Sequence, residues 1–447
     1  MAALLRGGDR RDHKLAMKDP GQAQDPTLDP RLKLAFVVTE FPKTTETFIL
    51  RDIMALHQMG CDVRVFHLTR FNTKDILHEF AAPTLAWAQG YAYVASWDVG
   101  AAVGHFIWHQ PRVLASILRD IVKGCRRDPV MLLKSLFILP KSLRIARALM
   151  DWKCAHVHAA YAGHPATTGW VVQRVTGIPF SCSSHAHDLF ETQALLAEKL
   201  PEASFVRTIS DFNRKFILDH IPALVSRPPV VIHVGIDPSA SQKTPRLVRT
   251  QDHLGRFEIL YVGSLERRKG VDVLLAALAS VTIKDWHLDV IGAGPEAAAL
   301  KAQAARLGLE EKVSFHGGQS NTAVQQAMAT ASVLVVPSRI GPRNQTEGLP
   351  TVIVEAFSMG LPVIAARLTG IPEIVRDGET GFLFEMEDVG GLKDALQAVY
   401  RAPDHAQRLA AQGRALVHQE FNQPVNARKL LDLIVACSQP ASHGTAP

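Results

Sequence analysis

Short apolar runs, each followed by a longer helical pattern, recur along this chain in two series. The first comprises Leu34–Val38, Val63–Leu68, Ala155–His158 and Ile178–Ser183. The second comprises Phe257–Val262, His287–Ile291, Val313–Phe315, Val333–Val336 and Val363–Ala365. Strands that alternate with helices in this way pack as a parallel sheet covered by helices on its faces. A last run, Val230–Ile236, is followed by a polar stretch through Ser239, Ser241, Lys243 and Pro245 that has no face to bury. The expected organisation is therefore a flexible tail over 1–30, a Rossmann-like domain over 31–237, a linker over 238–256, a second Rossmann-like domain over 257–437, and a tail over 438–447. Two such open sheets in tandem place a ligand in the cleft where the C-terminal ends of their strands face each other.

The 447 residues suffice for two cores, and 47% hydrophobic with 21% charged residues is the balance of a folded, water-soluble chain. No stretch reaches the roughly 18 uninterrupted apolar residues that cross a bilayer. The bases near the N-terminus (Arg6, Arg10, Arg11, Lys14) are mixed with Asp9 and Asp12, and no apolar signal core follows them. Five cysteines stand without CxxC spacing, so neither a disulfide framework nor a zinc cluster is expected, and a reducing cytoplasm is. The net charge of +6 is concentrated: residues 101–150 hold nine bases against Asp120 and Asp128. There Val113, Leu114, Ile117, Leu118 and Ile121 recur at helical spacing, and Met131, Leu132, Leu133, Leu136, Phe137 and Ile138 continue the pattern. Two readings stand side by side: helices with a core-facing stripe and a solvated basic side, or helices lying on an anionic membrane surface.

Three segments carry chemistry. Gly263-Ser264-Leu265-Glu266-Arg267-Arg268-Lys269-Gly270 follows a strand and precedes the helical run Val271–Leu278. Backbone amides, the helix dipole and the charges of Arg268 and Lys269 suit a diphosphate there; a solvated basic turn is the plainer alternative. GxGxxG and GxxxxGK[ST] are both missing, which removes the usual support for dinucleotide oxidoreduction and P-loop hydrolysis. In the second segment, Glu347-Gly348-Leu349-Pro350-Thr351-Val352-Ile353-Val354-Glu355, a turn at Gly348-Leu349-Pro350 leaves Glu347 in a loop. Glu355 then falls about one turn into a largely apolar helix, where a carboxylate needs a partner. The loop carboxylate suits sugar hydroxyls and the helical one suits a ribose diol. The third segment, Ser183-Ser184-His185-Ala186-His187-Asp188, ends a strand of the first domain. Its histidines and aspartate lack further ligands at metal spacing, so His185 is read as a hydrogen-bonding group at a reacting sugar, or else as a structural histidine, and no metal is expected.

Together these segments resemble glycosyltransferase family 4, the retaining enzymes of GT-B fold: two Rossmann-like, doubly wound parallel-sheet α/β domains facing a central cleft. The resemblance extends through Ser210-Asp211-Phe212-Asn213, Gly235-Ile236-Asp237, Ile291-Gly292-Ala293-Gly294-Pro295, Phe315-His316-Gly317, Pro337-Ser338 and Thr369-Gly370-Ile371-Pro372-Glu373, with Gly378 and Gly381. The segment Phe41-Pro42-Lys43-Thr44-Thr45-Glu46-Thr47-Phe48-Ile49 looks most like the colanic-acid and exopolysaccharide branch, and Glu46 within it is placed among the substrate-binding residues.

The resemblance implies that Lys269 binds the diphosphate, Glu347 the donor sugar and Glu355 the ribose, that His185 stands beside the transferred sugar, and that the backbone from Phe315 through Gly317 to Gly318 meets the base. Gly263, Gly348, Leu349 and Pro350 complete the donor site. Many members have arginine where this chain has Ser264, so Arg267 or Arg268 is expected to supply the second cation; Thr351 likewise stands where asparagine is frequent. The implied reaction moves a sugar from a nucleotide-sugar donor, with UDP expected and GDP open, to a glycan or lipid-linked acceptor. It needs neither cofactor nor metal, and no nucleic acid partner is expected. A cytoplasmic enzyme, free or attached peripherally to the inner face of the cytoplasmic membrane, fits this reading. A nucleotide-sugar epimerase of the same fold, or a catalytically silent nucleotide-sugar-binding protein, would share the donor site.

Overall fold

Both expected sheets form, and every strand pairing within them is parallel. The structure is a computed structural model describing residues 32–43, 46–71, 79–92, 96–237 and 255–438. The terminal tail over 1–30, most of the linker over 238–256, and Thr44 and Thr45, expected to cap the first helix, lie outside the described residues.

The first domain runs β1 (Lys33–Val38), α1 (Thr47–Gln58), β2 (Asp62–His67), β3 (Ala88–Gly90), α2 (Trp97–His109), α3 (Pro111–Cys125), α4 (Pro129–Trp152), β4 (His156–Ala159), α5 (His164–Thr176), β5 (Phe180–Ser184), β6 (Val206–Thr208), α6 (Asp211–His220) and β7 (Val230–Val231). Its strands are ordered β3-β2-β1-β4-β5-β6-β7. The second domain runs β8 (Phe257–Val262), α7 (Val271–Leu278), β9 (Trp286–Ile291), α8 (Ala297–Arg306), β10 (Val313–Gly317), α9 (Asn321–Thr330), β11 (Val333–Val336), α10 (Thr351–Ser358), β12 (Val363–Ala366), β13 (Phe382–Phe384), α11 (Val389–Arg401) and α12 (Pro403–Glu420). Its order is β10-β9-β8-β11-β12-β13. Strand order reverses between β1 and β4 in one sheet and between β8 and β11 in the other, and crevices for ligands open at such switch points.

The strands missed in the sequence, β3, β6 and β13, are three residues long, too short to carry a pattern of their own. The run Val230–Ile236 is a strand only at Val230–Val231; Ile236 instead bridges Asn422.

That bridge begins a correction to the expected domain boundary. The last helix, α13 (Gln423–Ser438), does not belong to the second domain's core. Its Leu430, Leu431 and Ile434 are fully buried among Leu34, Phe36, Ile49 and Ile53 of the first domain. Burying each aliphatic side chain contributes about 1.5–3 kcal/mol, so the crossing is firmly anchored. The amphipathic pattern of α13 announced a buried face without saying which sheet would cover it.

In α3, Pro111 opens the helix, and Leu114, Ile117, Ile121 and Cys125 form one buried stripe against α4 and the first core. The central residues of the basic segment thus face inward. Among the described residues, no helix is long and apolar enough to cross a membrane.

Candidate active site

A cleft of about 670 Å³ opens between the two sheets, lined by loops that leave the C-terminal ends of β1, β4, β5, β8 and β11. Four of these strands flank the two switch points and β5 neighbours β4, so the topology itself gathers residues that are far apart in sequence.

The second domain supplies the charged wall. After β8, Tyr261 donates its hydroxyl to the Ser264 carbonyl at 2.9 Å, and the chain turns through Arg267–Lys269 into α7. Gly270 at this turn has φ 67, and a Cβ there would come within 1.8 Å of the Pro337 carbonyl oxygen, so only glycine lets the turn press against the loop after β11. Buried Arg339 fixes the same junction: its backbone N–H donates to the Arg268 carbonyl at 2.8 Å and its Nε to the Arg267 carbonyl at 2.9 Å. Lys269 Nζ consequently lies 3.0 Å from Glu347 Oε1, and Arg268 pairs with the same oxygen while its Nε donates to Glu266 at 2.8 Å. Two cations converge on one carboxylate at the cleft wall.

Gly348-Leu349-Pro350 then leads into α10, which no side chain among the described residues caps; the Ile353 N–H turns back to the Pro350 carbonyl at 3.1 Å, and Thr351 and Val352 of the first turn line the cleft. Glu355, one turn further, also lines the cleft, with 29% of its side chain accessible. Its apolar surroundings raise its pKa above the ordinary 4.5, opposed by Arg51 of α1, whose guanidinium lies 4.0 Å away.

The first domain supplies an aromatic wall, with Lys43, Glu46 and Glu191 also at the cleft. The His185 ring sits 4.9 Å from the rings of both Phe48 and Tyr161. Burial, together with the charge of Arg207, pushes its pKa well below 6.5, so the imidazole is neutral, and its Nδ1 has no hydrogen-bond partner among the described residues. Asp188 holds the loop in place by accepting the N–H groups of His185 at 2.8 Å and Ala162 at 2.6 Å. Both oxygens of that carboxylate are therefore engaged by backbone. Lys43 donates to Glu46 at 2.6 Å, and both line the cleft.

The structure thus brings together His185, Lys269, Glu347, Arg268, Gly263, Gly348, Leu349, Pro350, Glu355 and Glu46. Two expected residues fall elsewhere. Arg267 is exposed and outside the cavity, because the tight turn directs neighbouring side chains oppositely; Arg268 is the cation that faces the cleft. Gly317 also lies outside the cavity, since β10 is the sheet's edge strand, two strands from β8. Its carbonyl accepts the Gly292 N–H at 2.8 Å, the next backbone bond along from Gly263 N–H to the Ile291 carbonyl.

Sequence reading missed Lys43, Tyr161 and Arg51. Lys43 had a signal in its motif with Glu46; the other two had none, because topology alone brings Tyr161 to the cleft and Arg51 beside Glu355. The domains meet where Gly348 packs against Ala186 and Ile209, and Glu373 accepts the α6 N–H groups of Asp211 and Phe212, each at 2.9 Å.

Comparison with known proteins now adds to this geometry. The family described as Glycosyl transferases group 1 matches residues 249–416, which contain the whole charged wall. A phosphatidyl-myo-inositol mannosyltransferase of Mycobacterium leprae is 30% identical over 285 residues, covering 62% of this chain and 72% of its own length. This chain belongs to the group 1 glycosyltransferases. A protein of Salmonella typhimurium, named provisionally as the colanic acid biosynthesis glycosyltransferase WcaL, is 23% identical to it over 90% of this chain and 99% of its own. Among solved structures, HepE of Anabaena in complex with UDP aligns with a TM-score of 0.68 and 18% identity, over 90% of this chain and 99% of that one. That likeness establishes the fold as GT-B.

Proposed function

We propose that this group 1 glycosyltransferase acts as a family 4 enzyme, moving a hexosyl unit with retention from a UDP-sugar to a hydroxyl of a glycan or lipid-linked acceptor in exopolysaccharide or cell-surface polysaccharide synthesis. The observation that carries the reading is the convergence of Lys269 and Arg268 on Glu347, one helical segment from Glu355 and across the cleft from His185. The UDP held by HepE and the name of WcaL support the nucleotide and the pathway class.

Without donor, both cations rest on the Glu347 carboxylate. An incoming diphosphate draws them away, and Glu347 is freed to accept hydroxyls of the donor sugar. In the transfer step the bond from the anomeric carbon to the diphosphate oxygen breaks, and the acceptor oxygen bonds to that carbon on the same face. The acceptor proton passes to the departing phosphate oxygen. Lys269, Arg268 and the N-terminus of α10 stabilise the charge that develops there, and no metal is required. Neutral His185 serves as a hydrogen-bonding partner for the sugar. The protein works in the cytoplasm, and its first domain docks on anionic lipid through the basic segment 101–150.

The deciding experiment incubates the purified protein with a panel of UDP- and GDP-sugars and acceptors, in the presence of EDTA. Nucleoside diphosphate release and a product with the donor's anomeric configuration, read by NMR, are expected. An inverted product, or activity abolished by EDTA and restored by a divalent ion, overturns the mechanism.

A further inference from the structure

Away from the active site, a second cavity of about 300 Å³ lies between α2, α3 and α4, lined by apolar side chains that include Val103, Ile107, Ala115, Leu118, Leu139 and Leu143. Its surroundings are unusual for a surface that meets only water. Trp97 is 91% exposed and Trp108 is 84% exposed, at the two ends of α2. The positions between them on the same helical face are Ala101 and Gly104, also exposed, so this face carries no charge. Leu118 and Val122 extend the apolar surface along α3, and Leu133 and Phe137 extend it along α4. An exposed apolar area of this kind marks an interaction site.

The charges beside it select the partner. Exposed Arg112, Lys123, Arg126 and Arg127 lie on α3 and the turn after it. The acids of the same region are engaged: Asp98 with Arg144, Asp120 with Arg174 and Arg119, and Asp128 with the Met131 N–H at the start of α4. The surface thus presents bases, two tryptophans at helix ends and an apolar slot, the combination that meets an anionic lipid interface.

We propose that the slot between α2, α3 and α4 seats one acyl chain of an anionic phospholipid bilayer, with Trp97 and Trp108 at the headgroup level. The inference rests on the docking reading above and goes beyond it: docking by charge alone needs no slot. It also differs from the sequence expectation, because Leu114, Ile117 and Ile121 are core residues, and α2 joins the outer sides of α3 and α4 in the lipid-facing surface.

Two measurements separate the inference from the docking reading. The first is binding of cis-parinarate, a fluorescent fatty acid, in solution. The second is flotation with phosphatidylcholine vesicles with and without phosphatidylglycerol, with quenching of tryptophan by brominated acyl chains. Wild type is expected to bind parinarate, to float only with the anionic vesicles and to be quenched there. Ala115→Phe, which fills the slot, and Leu118→Gln, at an exposed position, are each expected to weaken parinarate binding by at least about tenfold. Circular dichroism of both variants verifies the fold, and Trp97→Ser/Trp108→Ser is expected to lose the quenching. Flotation without parinarate binding, or with both slot variants unaffected, overturns the slot and leaves docking by charge standing. Parinarate binding without flotation overturns the bilayer as its source and the docking reading with it. Equal flotation on neutral and anionic vesicles overturns the charge selection on which both rest.

Discussion

The two walls of the cleft are built by different logic. On the second domain's side, the charged residues come from two short segments, 263–269 and 347–355, each a turn that runs into a helix. On the first domain's side, Lys43, Glu46, Tyr161 and His185 come from three loops after three strands, and the wall sets aromatic rings and an uncharged imidazole beside the Lys43–Glu46 pair. Binding a diphosphate demands cations and helix N-termini at fixed short range, which chain-local motifs provide. Holding an acceptor demands shape, which distant loops can supply in many ways. Under the proposed function, the donor wall concentrates the catalytic energy and the opposite wall tunes it.

The largest test is therefore Lys269→Ala set against Lys43→Ala. On the proposed mechanism Lys269 faces the departing diphosphate, so its removal is expected to lower kcat by about 10²–10³-fold, with a smaller change in KM. Lys43, tied to Glu46 across the cleft, is expected to cost less than about tenfold, the worth of a single hydrogen bond. Steady-state kinetics of both variants check this, and equal losses would break the asymmetry.

Glu355→Gln is next. On the proposed ribose-binding role, the variant loses a charged hydrogen bond worth about 1.5–3 kcal/mol, and nucleotide affinity is expected to weaken by roughly 10–150-fold, as calorimetry with nucleoside diphosphate would read. The pH dependence carries a sign. Because burial raises the Glu355 pKa in the folded protein, the carboxylate that accepts the diol is lost on acidification earlier than an ordinary glutamate would be. The same raised pKa means that the unfolded chain releases this proton first, so ionised Glu355 opposes folding as pH rises through and above the ordinary carboxylate range. Glu355→Gln should therefore raise Tm near neutral pH while it weakens nucleotide binding. A fall in Tm at neutral pH would show that Arg51 outweighs the cost of burial.

How much of this was legible in the sequence follows the same division. Strands β8 and β11 are bounded residue for residue by the sequence, and Lys269, Glu347 and Glu355, singled out from local context, line one cleft, because a buried parallel strand and a helix-entry turn are written within a few residues. Arg267 and Arg268 could not be separated, since the direction of each side chain depends on how Gly270 and Arg339 fold the turn. Tyr161 and Arg51 were invisible because their role comes from the strand order around β1 and β4. The crossing of α13 to the first domain was missed for a related reason: periodicity reports a buried face but not its partner. The buried stripe of α3 and the exposed faces of α2 likewise could not be told apart until their neighbours were known.

His185 probes the aromatic wall directly. With its ring held uncharged between Phe48 and Tyr161, it can contribute a neutral hydrogen bond, so His185→Ala is expected to lower kcat by about tenfold or less and to leave nucleoside diphosphate affinity unchanged. Its pKa lies well below 6.5, so the wild-type pH–rate profile should show no break from this group above pH 6.5. A limb near that pH that disappears in His185→Ala would mean that the imidazole acts as a charged acid and that the walls are more alike than the geometry indicates.

The smallest effect is expected where the walls touch. Glu373 of the second domain accepts two backbone N–H groups at the start of α6 in the first, so it acts as a helix cap supplied from across the cleft. Side-chain caps contribute about 0.5–2 kcal/mol, and this one also ties the two domains together. Glu373→Ala should therefore lower Tm slightly and raise the donor KM a few-fold, because neither wall loses a binding group but both lose their spacing. Small-angle scattering should show a larger radius of gyration in the nucleotide-free variant, and saturating nucleotide should narrow the difference by drawing the walls together. If Tm falls while KM and the scattering stay as in wild type, Glu373 stabilises α6 alone, and the spacing of the walls is set by the Gly348–Ala186 contact instead.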